Sequence, residues 1–513
     1  MKIVTIEKNR VEEQTEIDKK RSLEERNMNG QYSTPNDLAN EIIQFVLKIR
    51  DKLIGSNEKI TFFEPAFGTG SFYSALIQST KKEMLEYAFG LEVDKEICDV
   101  AKHIWNDYDI EIQNSDFTHY KQKDNQLFNL VVTNPPYVRH HHLTKEQKNF
   151  LRQEVKKELG LTISGYAGLY CYFILLTHKW LIKGAISSWL IPSEFMDVNY
   201  GRVIKEYLTN SVTIKHIHKY DYSSSYFTDA IVSSSVITYV NEVPKGDEEV
   251  KLTFGGTITK PNMCIYKKLK ELRNIDKWSN FFLEAKSPIS AKEHTLSDFF
   301  DIKRGIATGN NGFFILSEKQ IMNMGLPFEC LRPILPPPRN LNQDIIEADN
   351  EGIPILDERL FVIDTDLDED TLKRKYPEFW NYLHSGILKG ITEGYLVKSR
   401  KIWYSQEKRN PVPFLCTYMG RDNNNNNPFK FILNKSLAIA SNSFILLYPK
   451  GKLKELLDNN ISLFPIVLDA LKKIKVEHFY SEGREYGGGL RKIEPKELAR
   501  VNANDIMDIP GLK

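Results

Sequence analysis

Between Ile60 and Val240 the chain repeats one pattern: a short apolar run, often closed by Pro or Asp, then a segment of helix length. Strands joined through helix-length crossovers pair in parallel, and helices cover both faces of such a sheet, so the alternation restricts the chain to a layered α/β fold. Seven runs read as strands: ITFFEP ending at Pro65, YAFGLEVD at Asp94, IEIQNSD at Asp116, FNLVVTNPP at Pro136, AISSWLIP at Pro192, TIKHIHKYD at Asp221 and VSSSVITYV at Val240. No helix-length segment separates the last two, so they are expected to pair antiparallel.

A chain of 513 residues is expected to form two or three domains. Apolar and charged fractions of 41% and 27% belong to a globular protein and exclude a disordered one. A net charge of +1 gives no bulk attraction to a polyanion, while leaving a local basic face open. Cys98, Cys171, Cys264, Cys330 and Cys416 are scattered without a CxxC pair. That pattern suggests neither a zinc site nor a disulfide framework and fits a reducing compartment. The charged amino terminus lacks the apolar core of a signal peptide. The greasiest stretch, Leu169 to Ile191, is broken by His178, Lys179, Lys183 and Gly184, so it reads as helix, turn and strand, not as a membrane span. A cytoplasmic protein is expected. Composition shifts divide the chain into a charged extension over 1–28, the βα region over 29–245, a connecting region over 246–295 and a mixed domain over 296–513. The last holds a Pro-rich stretch around Pro336 and the solvated tract Asn423 to Asn427.

Phe63-Glu64-Pro65-Ala66-Phe67-Gly68-Thr69-Gly70-Ser71 places two glycines between a strand and a helix, where the backbone must turn sharply and admit a ligand without a Cβ in the way. Alone such a pair is as often a structural turn. Glu92, in Glu92-Val93-Asp94, ends the second strand, where a carboxylate accepts from ribose hydroxyls. Asp116 and Phe117 end the third with an acceptor and an aromatic face for an adenine ring; the alternative is that Glu92 and Asp116 only cap helices. The third glycine of GxGxxG is missing. Glu64 would repel a pyrophosphate but suits a ligand carrying a sulfonium and an α-amino group. S-adenosylmethionine has that character.

Phe128 to Tyr137, FNLVVTNPPY, is an apolar strand ending in a stiff polar turn. The Asn134 amide oxygen and the Asn134–Pro135 backbone offer two acceptors for both hydrogens of an –NH₂ group. An aromatic amine is a poor nucleophile because its lone pair is delocalised; two acceptors favour a more tetrahedral nitrogen able to attack a sulfonium methyl. Positioning and electrostatics then carry the rate. Tyr137 offers a face on which an extruded base stacks. Phe227 offers a second, unless it is a core aromatic.

At these motifs the chain resembles the γ-type N6-adenine DNA methyltransferases of bacterial restriction–modification systems, of the TaqI kind and nearer in pattern to the PstI/BsuBI group. The matching segments are Gly30-Gln31-Tyr32-Ser33-Thr34-Pro35, the glycine loop, Glu92, Asp116-Phe117, Asn134-Pro135-Pro136-Tyr137-Val138-Arg139 and Phe227. Further on, Asp301 to Asn311 and Gly487 to Pro495 resemble the family's target-recognition domain. The resemblance implies a Rossmann-like class I methyltransferase sheet of seven strands followed by a mixed α/β recognition domain. It places Tyr32, Thr34 and Pro35 at the methionine end of S-adenosylmethionine and Glu64 near its amino group. Ala66, Gly68, Gly70 and Val93 also fall in the cofactor motifs. Glu92 would bind ribose and Asp116 the adenine amino group. Asn134, Pro135 and Pro136 would form the catalytic turn, with Tyr137 and Phe227 stacking on the target base. Phe67 departs from the family, where a small residue or cysteine is common.

The implied activity is methylation of adenine N6 in double-stranded DNA by a monomer, with any cognate restriction endonuclease acting separately. N4-cytosine methylation, RNA or protein-glutamine methylation, and a non-catalytic DNA specificity subunit are the alternatives, the last opposed by the intact motifs. Consecutive His140, His141 and His142 cannot converge on one metal ion without a special backbone, so no metal is expected. Arg484 and Arg491 beside the Gly487–Gly489 run are candidates for a phosphate strand or a plain hairpin. Trp403, Tyr404 and Arg409 are candidates for DNA contact or, for the aromatics, core packing. No PD…(D/E)xK nuclease arrangement is found.

Overall fold

In the computed structural model of the protein, residues 2–221, 233–286, 293–421, 427–486 and 489–512 are described. Phe227, Gly487 and Gly488 lie outside them. The chain divides into two compact units, Met1–Lys286 with Tyr486–Gly488, and Ser287–Glu485 with Gly489–Lys513.

The first unit is built on one sheet. Its strands are β1 (Ile60–Glu64), β2 (Leu85–Glu92), β3 (Glu111–Asn114), β4 (Phe128–Thr133), β5 (Leu181–Pro192), β6 (Thr213–Lys219), β7 (Ser234–Val240), β8 (Glu249–Gly256) and β9 (Pro261–Lys268). They run in the order β3-β2-β1-β4-β5-β7-β6-β8-β9. Pairing is parallel from β3 through β5, while β7 lies antiparallel between β5 and β6. All seven expected strands are present, with the expected closing antiparallel pair, in a class I methyltransferase sheet. Strand order reverses between β1 and β4, and the carboxyl ends of β1, β2 and β4 open there on one crevice, the usual ligand site of an open α/β sheet.

Helices cover both faces. α1 (Lys2–Lys20) and α2 (Leu23–Asn29) precede α3 (Asn36–Ile54), α4 (Ser71–Ser79) and α5 (Lys95–Ile104). α3 to α5 bury Leu38, Ile42, Phe72, Leu76 and Ile104 against one face. α6 (Lys145–Leu159) and α7 (Leu169–Leu176) bury Leu151, Val155 and Phe173 against the other. As expected, Leu169 to Ile191 resolves into a buried helix, a turn and β5. Among the described residues no helix is long and apolar enough to cross a membrane.

The sheet has nine strands rather than seven. Residues expected in a connecting region supply β8, parallel to β6, and β9. Gly255 and Gly256 end β8 with positive φ, 63° and 64°, which glycine adopts without strain, and the chain reverses through 257–260 into β9. Trp278, Phe281 and Phe282 then pack into the same core as Val250 and Leu252.

The second unit holds a five-stranded sheet. Its order is Phe300–Arg304, Phe444–Pro449, Phe414–Thr417, Phe431–Asn434, Ile345–Ile346. A three-stranded antiparallel sheet of Ile315–Ser317, Leu360–Ile363 and Leu331–Ile334 accompanies it. In the recognition-like segment Asp301–Asn311, a Cβ on Gly305 would lie 2.1 Å from the Ser441 carbonyl oxygen, so only glycine fits. The Arg400 guanidinium donates to the carbonyls of Ala307 and Thr308. Tyr404 is a core residue, its hydroxyl donating to the Leu367 carbonyl, and Trp403 packs on Phe313 and Phe314; packing explains both aromatics. Arg409, the candidate for DNA contact, pairs with Glu407, and the two candidates for a phosphate strand pair likewise, Arg484 with Glu497 and Arg491 with Glu485.

Candidate active site

β1 delivers Glu64 to the crevice, and the following loop turns into α4 through Gly68 (φ 57°) and Gly70 (φ 90°). A Cβ at Gly70 would stand 2.6 Å from Trp105 Nε1 and 2.7 Å from Phe67 Cζ, whereas nothing lies within 4 Å at Gly68. The two glycines thus serve different ends: Gly70 admits protein and Gly68 leaves room for a ligand. Gly70→Ala is expected to destabilise the protein by about 2–3 kcal/mol through overpacking and strain, and Gly68→Ala by about 1 kcal/mol through strain alone; urea unfolding checks both. Phe67 fills the space behind the loop, its ring buried against Tyr73 and facing Gly90. Phe67 also lines the cavity, so the family departure reaches the site as well as the core.

Three carboxylates rise from the strand ends. Glu64 is buried, and its Oε2 has no hydrogen-bond partner. Burial pushes its carboxyl well above the usual carboxylate range, with Glu92 adding to the push and the Arg10 guanidinium opposing it. Glu92 Oε2 accepts from the Gly68 N–H at 2.8 Å and Oε1 from the Asp94 N–H at 2.9 Å, fastening β2 to the glycine loop. Its carboxyl is also raised by burial, against the pull of those donors. Asp116 accepts from the Thr118 N–H and hydroxyl and faces His119 Nδ1 at 3.1 Å. Asp94, not Glu92, caps α5.

After β4 the Asn134 amide is pinned on one side only. Its Nδ2 donates to the Tyr32 carbonyl at 3.0 Å and to Thr34 Oγ1 at 3.1 Å, and its Oδ1 is buried with no partner. The Tyr137 N–H donates to the Gly30 carbonyl, so the two predicted motifs meet. Tyr137 itself is 9% exposed. Its hydroxyl donates to the Leu190 carbonyl, and its ring lies between Tyr32, 5.7 Å away, and Tyr170, 6.4 Å away. The face expected to be open is packed in this structure.

These groups bound a cavity of about 670 Å³, the size of a cofactor site. Of the predicted residues, Tyr32, Thr34, Glu64, Ala66, Gly68, Glu92, Val93, Asp116, Phe117, Asn134 and Pro136 line it; Pro35, Gly70, Pro135 and Tyr137 stand behind the wall. Phe117 also packs on Phe63 and Phe173 in the core. His142 lines the cavity, but the other two histidines of its short helix do not. Sequence reasoning missed Gln14 and Asp18 of α1 and Arg21 just beyond it, which line the cavity as well. Their signal was a polar stripe at helical spacing, invisible to a search for apolar periodicity.

S-adenosylmethionine fits this donor set. An unpartnered buried carboxylate oxygen suits an ammonium, Glu92 with spare lone pairs suits ribose, and exposed Val93 (65%) offers an apolar face.

The family profile described as "Eco57I restriction-modification methylase" matches residues 35–227. That described as "Type II methyltransferase M.Eco57I, C-terminal domain" matches residues 276–510. Over these residues the chain is similar to restriction–modification methyltransferases of the Eco57I kind. The chain is 26% identical to type II methyltransferase M.AccI of Acinetobacter calcoaceticus over 93% of its length and 85% of the relative. It is 28% identical to type II methyltransferase M.XamI of Xanthomonas campestris pv. amaranthicola over 72% of this chain and 66% of that one. The solved structure of the type IIL restriction-modification enzyme MmeI, determined in complex with DNA, matches the fold with a TM-score of 0.54. The match covers 96% of this chain and 78% of MmeI at 13% identity.

Proposed function

We propose that the protein is a site-specific DNA methyltransferase that modifies the N6 amino group of an adenine flipped out of duplex DNA, as the modification enzyme of a restriction–modification system. The observation that carries this reading is the Asn134 amide. Its nitrogen is committed to Tyr32 and Thr34, which orients Oδ1, buried and unpartnered, as an acceptor beside the cofactor cavity.

S-adenosylmethionine, when bound, supplies the electrophilic methyl group. Glu64 binds its ammonium, Glu92 its ribose hydroxyls and Asp116 its adenine amino group. Asn134 Oδ1 and the Pro135 segment accept the two hydrogens of the target amine and orient its lone pair toward the methyl. The N–C bond would form as the sulfonium S–C bond breaks, with S-adenosylhomocysteine as the leaving product, and the cationic nitrogen then gives up one proton to water, so no side chain is required as a strong base. Tyr137 and Phe227 stack on the extruded base, Tyr137 by exchanging its contact with Tyr32. M.AccI and M.XamI are named type II methyltransferases, which supports DNA as the substrate. Incubation with methyl-labelled cofactor and duplex DNA, RNA or protein tests the class: label is expected in DNA, and label in RNA or protein alone would overturn the reading.

A further inference from the structure

Nothing in that mechanism uses residues 1–28, yet α1 within them carries a buried polar device aimed at the cofactor loop. Glu7, Arg10, Gln14 and Ile17 share one face of α1. Arg10 is 2% exposed. Its Nε and Nη2 donate to the two oxygens of Glu7 at 2.8 and 2.6 Å, and its Nη1 donates to Thr69 Oγ1 at 3.0 Å and Ser71 Oγ at 2.8 Å. The Thr69 hydroxyl donates in turn to Gln14 Oε1 at 2.8 Å, and the Ser74 hydroxyl donates to Glu7. Ser71 Oγ donates to the Thr34 carbonyl at 3.2 Å, and Thr34 Oγ1 accepts from Asn134 at 3.1 Å. An unbroken chain of contacts therefore runs from α1 to the catalytic amide. At its far end α1 leads into Arg21, which pairs with Asp94 at 2.8 Å, just past Glu92 and Val93.

Fastening a helix does not require this arrangement. A buried ion pair is at best about as stabilising as apolar side chains of the same volume, and Ile17 already supplies apolar contact. What the guanidinium fork adds is direction, because its planar donors fix two hydroxyls at once.

We propose that α1 is a built wall of the cofactor site and that Arg10 is its positioning residue, holding Thr69 and Ser71, and through Thr34 the Asn134 amide, at the methionine end of the pocket. The proposal rests on reading the cavity as an S-adenosylmethionine site. Calorimetric titration of the full chain with S-adenosylhomocysteine and with 5′-methylthioadenosine, which lacks the amino-acid arm, separates positioning from general loosening. In Arg10→Gln, S-adenosylhomocysteine is expected to bind about 10- to 50-fold more weakly, while 5′-methylthioadenosine stays within about twofold of wild type. Arg10→Lys, a point charge without the fork, should recover part of the loss. Equal weakening of both ligands, or of neither, would overturn the proposal. Should Arg10→Gln fail to fold, the isosteric Glu7→Gln, which releases the fork, carries the same comparison. Wild-type protein that binds neither nucleoside would sink the cofactor reading itself, and this proposal with it.

Discussion

Replacing Asn134 with alanine is expected to lower methyl transfer by about 10²- to 10³-fold, the usual cost of removing one preorganised polar group from a transition state. Oδ1 of this residue is buried without a partner, so the ligand-free fold gains little from it. Its contribution comes only when an amine arrives. The Nδ2 contacts to Tyr32 and Thr34 mean that truncation also loosens the loop beside the cofactor. Cofactor affinity should therefore fall by no more than about fivefold, a loss of about 1 kcal/mol. Single-turnover kinetics and calorimetry read the two effects separately. A loss in affinity as large as the loss in rate would make Asn134 a structural residue of the cofactor loop.

The second large effect belongs to Glu64. Holding a carboxylate in this buried site costs the ligand-free protein stability, since burial and Glu92 both oppose its charge. A carboxyl whose folded-state pKa lies above its unfolded value costs stability as pH rises between the two, and the cost is complete above the folded value. Glu64→Gln should therefore melt higher than wild type at neutral pH without ligand, by about 2–4 °C for each kcal/mol recovered. The advantage should vanish at a pH below the unfolded value. Binding goes the other way: loss of a charge-assisted contact with the ammonium should weaken S-adenosylmethionine by about 30-fold. Wild-type affinity should also fall as pH drops through the raised pKa, while the Gln variant stays flat. Differential scanning fluorimetry and titration across pH check both signs. Unchanged affinity in the variant would move the ammonium elsewhere.

The parts of the fold legible in the sequence were those written in strong local signals. Apolar runs ending at Glu64, Glu92, Asn114 and Thr133 alternate with helices, and that period survives any tertiary context. The glycine loop and the Asn134 turn were legible because only glycine and proline meet their backbone needs. β8 and β9 were not, because charged flanks on EVKLTFGG and on PNMCIYKK disguised a hairpin as a linker. α1 was missed as a wall for a different reason. Its docking face is Glu7, Arg10 and Gln14, and a polar face looks solvated until its partners Thr69, Ser71 and Ser74 are placed. Tyr137 shows the remaining gap: its position was legible, but whether its ring faces a base or packs on Tyr32 and Tyr170 is decided by neighbours distant in sequence.

Methylation of adenine N6 at one DNA sequence, through the acceptors of the Asn134 turn, can be read directly in cells. Modification-sensitive long-read sequencing of DNA from cells expressing wild-type protein, compared with Asn134→Ala, reports base, position and motif together. N6-methyladenine is expected at a single recurring motif and is expected to be absent from the variant. N4-methylcytosine at that motif, or no modified base in either sample, would contradict it.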